Sequence, residues 1–596
     1  MQKESPPERE LRPLSLALLA VLIGIVTGLG AVAFRALIGF IHNLLYYGHL
    51  STSFDANVYD LPSRWGAGIV LVPVLGGLGV VFLVSKFAPE ARGHGVPEVM
   101  DAIFYRDGKI RPLVAVIKSL ASSLSIGSGA AVGREGPIIQ IGASLGSSAA
   151  QLLKIASWQR ITLVAAGAGA GIAATFNTPI GGVLFAIELL LPEVSVRTFL
   201  PVALATGTAT FVGRGLLGTA PAFDVPANLV LAKAPASLEA VLLCVVLGVC
   251  CGCAATAFIR TLHSAERWFD RIANPYLRNV IGMTAIGIAM YAFLIASGRY
   301  RIDGVGYSTI EDILAGGLAG GPLMGLLFGS KMLATSVSLG SGSSGGIFSP
   351  SLFMGATLGG AFGALAHTFL AVPDVSVVAF AMVGMAALVG GATGAAMTAV
   401  TMIFEMTRDY EIVMPMIVAV AVSIGVRRVL SPENIYTIKL VGRRHFIPKA
   451  MHANMFLVRR AADVMEKDFQ VLPEGMGFDE FLHLPDSPGS LRHIVVTRDE
   501  RIVGTLRVNT AIRHGLENAA THVTLGSVAS EQFTVAHEGD IMFDVIQHMW
   551  HANAAMVVVI EEDALPQARN VVGVLTKEHI ADSVADSVRP YASVAG

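Results

Sequence analysis

From Leu16 to about Val426 the chain is a succession of apolar runs, the clearest at 16–33, 66–84, 240–258, 280–297 and 412–426. Several approach the roughly 20 residues that carry an α-helix across a bilayer. Others, at 138–153 and 180–191, are short and broken by Gly or Pro. Short broken segments survive at membrane depth only where protein or a water-filled cavity satisfies the freed backbone groups. After Tyr436 the pattern changes, and from about Arg459 it becomes that of a soluble α/β module. Ile494–Thr497 and Met556–Ile560 are β-branched runs that predict buried strands. Each precedes a second short strand (501–506 and 571–575) and then a helix, so the tail itself reads as a tandem repeat.

The membrane part is duplicated. Ser125-Ile126-Gly127-Ser128-Gly129 through Gly133-Arg134-Glu135-Gly136-Pro137 aligns without a gap on Ser338-Leu339-Gly340-Ser341-Gly342 through Gly346-Ile347-Phe348-Ser349-Pro350. Lys118 falls opposite Lys331, and Phe348 falls opposite Glu135. A second echo, slightly out of register, sets Phe185-Ala186-Ile187-Glu188 beside Met402-Ile403-Phe404-Glu405. A duplicated pair of hydrophobic segments interrupted by Gly and Pro points to an ion or solute site at the repeat interface. The Gly/Ala-rich runs at 165–174 and 384–396 let helix backbones approach closely in lipid.

Composition agrees with a membrane chain: of 596 residues 53% are hydrophobic and 14% charged, against about 25% charged in soluble domains. The net charge of −2 says little about partners, but its distribution is informative. Arg427, Arg428, Lys439, Arg443, Arg444 and Lys449 follow the last apolar run, so the positive-inside bias places the C-terminal part in the cytoplasm. The first apolar run has no small-residue cleavage site after it and reads as a retained helix. The expected division is a cytoplasmic tail (1–14), a first membrane repeat (15–218), a linker (219–237), a second repeat (238–440), a linker (441–458) and two tail units (459–520 and 521–590). All four cysteines, Cys244, Cys250, Cys251 and Cys253, lie in one apolar run and read as packing residues.

The interruptions carry the chemistry. Gly133-Arg134-Glu135-Gly136-Pro137 sets an ionisable pair between glycines at a predicted helix start, where backbone N–H groups and the helix dipole face the gap. Partial charges suit a conduction site, because binding must be weak enough to release the ion. Arg134 and Gly136 are therefore candidate anion ligands. Glu135 can fill the anion's place with its own carboxylate. An intramembrane Glu costs a few kcal/mol on insertion scales and is a functional candidate by default. The second copy, with Ile347 and Phe348, offers the same donors without an acid. A third break, Gly93-His94-Gly95-Val96-Pro97-Glu98, again leads N–H groups into a helix start.

In this order the three breaks resemble the CLC family of chloride channels and proton/chloride exchangers, whose signatures G-S/P-G-I-P-E, G-R/K-E-G-P and G-x-F-x-P fall at 93–98, 133–137 and 346–350. Phe176-Asn177-Thr178-Pro179 leading to Glu188, and Glu405-Met406-Thr407-Arg408-Asp409-Tyr410, extend the resemblance over about 15–440. It implies an all-α membrane domain of two inverted repeats with broken helices, a homodimer with one pore per subunit, and no enzymatic activity. It also implies a central chloride site from the amides of Ile347 and Phe348, the residue at His94 and the hydroxyl of Tyr436, with Glu135 as the gate. Two positions depart from the family. His94 stands where Ser or Pro is usual, which bears on anion selectivity. Leu189 stands where well-studied exchangers carry a proton-relaying Glu, which tilts the expectation toward channel-like flux, with proton/chloride antiport as the alternative.

The tail resembles a pair of α/β CBS domains. Such pairs often bind adenine nucleotide, and Thr576 with Glu578 are the candidate contacts; the alternative is a dimerisation and regulatory module without ligand. No cofactor is required for the pathway, and nucleic acid is not an expected partner. Two rival functions are weaker. An intramembrane serine protease could use Ser343 or Ser344 with His94, His263 or His367, but the register partners of the serines are Ala130 and Ala131. A CBS-regulated divalent-cation transporter would need pore carboxylates, and the breaks offer one acid against several N–H clusters.

Overall fold

The computed structural model describes residues 9–226, 238–318, 320–370, 376–447, 455–477, 480–481, 493–507 and 523–583. The chain divides into two compact units between Ile447 and Pro448, inside the stretch read as a linker.

The first unit is built from two matching sets of helices. The first set is α1 (Pro13–Tyr47), α2 (Leu71–Phe87), α3 (Val96–Tyr105), α4 (Leu113–Gly127), α5 (Glu135–Leu152), α6 (Ser157–Phe176), α7 (Pro179–Phe185) and α8 (Val196–Leu217). The second set is α9 (Leu238–Asp270), α10 (Pro275–Ser297), α11 (Tyr307–Leu314), α12 (Gly321–Gly340), α13 (Phe348–Leu370), α14 (Val377–Thr393), α15 (Ala396–Thr407) and α16 (Val413–Leu430). A short helix, α17 (Thr437–Val441), follows. Long helices match long ones: α1 and α9 have 35 and 33 residues, whereas α3 and α11 have 10 and 8. Among the described residues, eight helices are long and apolar enough to cross a membrane.

Packing repeats as well. α1 lies on α8 as α9 lies on α16, and α5 lies on α6 as α13 lies on α14. The last two contacts explain the glycine-rich runs. A Cβ on Gly142 would strike the carbonyl of Gly167, and one on Gly355 would meet the carbonyl of Gly384 at 2.5 Å. Backbones this close leave no room for a side chain, which is how small residues join helices in lipid. Between the repeats, α2 packs on α10 and α7 on α15, so each inverted repeat meets the equivalent element of the other.

The second unit holds two three-stranded sheets of one topology. In the first, β1 (Phe469–Pro473) pairs parallel with β2 (His493–Arg498), which pairs antiparallel with β3 (Arg501–Arg507). In the second, β4 (Phe533–His537), β5 (Met556–Ile560) and β6 (Val571–Thr576) repeat that order. This is the repeated α/β arrangement expected of a CBS pair. The sequence pattern predicts β2, β3, β5 and β6 but not β1 and β4, five-residue edge strands whose side chains are mostly half-buried. Residues 508–520, read as the end of the first tail unit, and 584–590, read as the end of the second, lie outside the described residues.

Candidate functional site

The two aligned breaks meet. Gly133 and Gly346 donate their N–H groups to each other's carbonyls at 2.7 and 2.6 Å, which sets the N-termini of α5 and α13 side by side. Gly136 must be glycine here: a Cβ would collide with the His94 carbonyl oxygen and lie 3.0 Å from Cα of Gly346. The first N–H groups of each helix have no intrahelical acceptor, so both present donors to the space between them.

Glu135, the first residue of α5, occupies that space and is fully buried. Its Oε2 accepts the backbone N–H of Ser349 at 3.2 Å, in the first turn of α13. Its Oε1 accepts the hydroxyl of Tyr307 at 2.5 Å and that of Ser349. The two hydroxyl oxygens are themselves 2.8 Å apart. Charge-assisted bonds of this kind are about twice as strong as neutral ones. The carboxylate thus sits at the N-terminus of α13 as an exogenous anion would.

His94, Ile347, Phe348 and Tyr436 are all buried. The Gly345 N–H donates to the Gly93 carbonyl at 3.3 Å, which brings the His94 loop to the α13 entrance. The His94 ring lies 5.9 Å from the Tyr436 ring, and its Nδ1 has no hydrogen-bond partner among the described residues. Tyr436 is held by the turn before α17, where the Asn434 side chain accepts from the amides of Tyr436 and Thr437 at 2.9 and 2.8 Å. That segment is tied to α3 by Arg443, which donates to both Glu98 oxygens at 3.1 and 2.6 Å. Arg134 lies elsewhere: its guanidinium is 5.2 Å from the Tyr307 ring, and it lines a cavity with Arg35, His42, Asp60 and Asp303.

Several residues of the site escaped the sequence reading. Tyr307 belongs to a fourth break, Gly304-Val305-Gly306, which corresponds to Gly93-His94-Gly95. The aligned lysines were the available signal. Buried Lys118 donates to the carbonyls of Ala91 and Gly93 at 2.9 and 2.7 Å, and buried Lys331 to those of Ile302 and Gly304 at 2.8 Å each. Each lysine therefore fixes the loop that feeds a short broken helix. Glu188 and Glu405 form another reciprocal pair. Glu188 accepts the amides of Met397 and Thr398 at 3.2 and 2.9 Å, at the start of α15. Glu405 accepts those of Ile180 and Gly181 at 3.1 and 2.7 Å, at the start of α7. Leu189 follows Glu188 on a π turn that extends α7 over Ala186–Leu190.

Elsewhere, Ser344 donates to the Ala91 carbonyl at 2.8 Å and bonds to Ser122 at 2.9 Å, which makes it a fastener between breaks. In the tail, Thr576 is buried and its hydroxyl accepts the His579 N–H at 3.3 Å. Glu578 is exposed and accepts from Arg507 at 2.7 Å. That guanidinium holds the Glu578 carboxyl below the ordinary carboxylate range.

Duplicated helices broken at facing N-termini, with one buried acid between them, define a membrane anion transporter. Residues 76–428 match the family model described as "Voltage gated chloride channel". The H(+)/Cl(-) exchange transporters ClcA of Salmonella arizonae and Citrobacter koseri are 31% and 32% identical over 418 residues, which is 69% of this chain and 85% of theirs. The crystal structure of a slow cyanobacterial Cl-/H+ antiporter aligns with TM-score 0.62 and 24% identity, over 73% of this chain and 99% of its own. A eukaryotic CLC transporter aligns with TM-score 0.60 and 20% identity over 95% of this chain and 98% of its own. The chain belongs to the voltage-gated chloride channel (CLC) family.

Proposed function

We propose that the chain exchanges chloride for protons across the membrane, with Glu135 as the group that carries the proton and blocks the path. The observation that carries this reading is the Glu135 carboxylate seated on the Ser349 amide. A carboxylate there excludes a chloride; once protonated it loses the charge that holds it to a helix N-terminus. Hydroxyl partners suit such an acid, because Tyr307 and Ser349 can donate to a carboxylate or accept from a carboxylic acid. The coupled reading also draws support from relatives whose names specify H+/Cl- exchange. It displaces the channel-like expectation, which rested on the missing acid at Leu189. The anion then passes His94, the amides of Ile347 and Phe348, and Tyr436, with Arg134 at the approach.

The functional form is a homodimer in a bacterial cell membrane, with both termini cytoplasmic and the CBS tandem regulating flux, through adenine nucleotide at Thr576 if it binds ligand. In proteoliposomes, an outward chloride gradient is expected to drive proton uptake against the proton gradient. Glu135→Gln is expected to abolish proton movement while chloride still flows. Chloride flux without proton uptake in the unmodified protein would return the reading to a channel.

A further inference from the structure

Away from the membrane pathway, the CBS tandem brings together Glu466, His493 and His579, whose ligand atoms all lie within 4.8 Å of one another. We propose that these residues bind a divalent d-block cation of the zinc class, a reading independent of the transport mechanism. Nε2 of His493 lies 3.3 Å from Glu466 Oε2, and Nε2 of His579 lies 2.5 Å from the same oxygen. A tetrahedral zinc ion with bonds of about 2 Å separates its ligand atoms by about 3.3 Å. The first pair already has that spacing; the second needs a small outward rotation of one side chain. The two rings are nearly perpendicular, with centroids 5.1 Å apart.

Burial separates this cluster from a solvated ion pair. The side chains of His493, His579 and Glu466 are 5%, 17% and 25% exposed. None of the buried atoms Nδ1 and Nε2 of His493, Nδ1 of His579 and Oε2 of Glu466 makes a hydrogen bond of regular geometry among the described residues, although both Nε2 atoms stand against Oε2. Unsatisfied buried polar groups are rare in folded proteins and call for a reason. A metal ion supplies one, because it binds the lone pairs that converge here.

The backbone holds all three positions. Glu466 exchanges N–H and C=O bonds with Val574 of β6 at 2.9 and 3.0 Å. His493 opens β2, paired on both sides with Phe469 and Arg507. His579 lies in the first turn of the helix that starts at 577, its N–H donated to the Thr576 hydroxyl. Glu466 and His493 come from the first repeat of the tandem and His579 from the second, so a bound ion clips the repeats together. Two imidazoles with one carboxylate suit zinc, cobalt or nickel, whereas magnesium prefers oxygen donors.

The test uses the full chain in detergent, stripped of metal by chelator dialysis. Titration with Co2+ alone is expected to give the visible d–d band of a four-coordinate site at one equivalent per chain, displaced by Zn2+ and untouched by Mg2+. Glu466→Gln is expected to weaken binding at least tenfold, and His493→Ala with His579→Ala to remove the band. Absence of the band in the unmodified chain, an unchanged titration in the double variant, or equal displacement by Mg2+ each overturns the proposal. Should the double variant misfold, X-ray absorption at the zinc edge of the loaded native chain decides instead: a shell with two imidazoles supports the site, and one without imidazole sinks it.

Discussion

Among the described residues, the hydrogen-bond partners of the Glu135 carboxylate come from the second repeat: one amide and one hydroxyl from Ser349, and the hydroxyl of Tyr307. A hydrogen bond to a charged group contributes about 1.5–3 kcal/mol. Tyr307→Phe removes one such bond without changing the ring that Arg134 covers. The docked carboxylate should therefore lose about tenfold or more in population, and chloride efflux from proteoliposomes at neutral pH should quicken. In a Glu135→Ala background the same substitution should leave efflux unaltered, because the partner is already gone. Equal acceleration in both backgrounds would mean that Tyr307 acts on the path itself. The acid was legible in the sequence because a carboxylate between glycines at membrane depth has few bland explanations. Tyr307 was not, since 172 positions separate it from Glu135 and no periodicity reports a contact of that range.

At the scale of elements, the helix starts are where sequence and structure agree best. Gly and Pro punctuate α3, α5 and α13 because a helix must begin there with bare amides. The pattern failed at α11, which has no proline in its first turn and only eight residues. It also failed to say what Glu188 and Glu405 do. Both cap the opposite repeat's helix, which makes the α7–α15 contact a reciprocal lock. Loss of a side-chain cap costs about 1–2 kcal/mol. Glu405→Ala should therefore lower the thermal unfolding midpoint in detergent, by more than an exposed Glu such as Glu411 changed to Ala. Equal midpoints for the two variants would remove Glu405 from the architecture. The cap also gives Glu188 a structural duty that holds whichever residue follows it, so Leu189 by itself says little about coupling.

For the whole molecule, the family match at 76–428 lies wholly inside the first compact unit. The buried acid, the facing helix starts, His94 and Tyr436 all belong to that unit. A chain ending at Ile447 is therefore expected to insert, to carry chloride and to keep its dependence on Glu135. Absence of flux from a truncated protein that still elutes as a single species would assign the CBS tandem an obligatory part in the pathway. The duplicated architecture was readable at this scale from one ungapped alignment within the chain. The channel-like tilt was not secure, because it weighed one missing side chain above a framework shared with named exchangers.

Phe348 stands where duplication would have put a second acid, and this gives a nearly self-inverse frame a chemical direction. On the exchange reading proposed above, the proton's door is the carboxylate that opens α5, while the equivalent position of α13 offers only a benzene ring. Molecules inserted in opposite senses in a vesicle should thus answer to acid on opposite faces, so lowering the pH outside alone ought to recruit a single orientation.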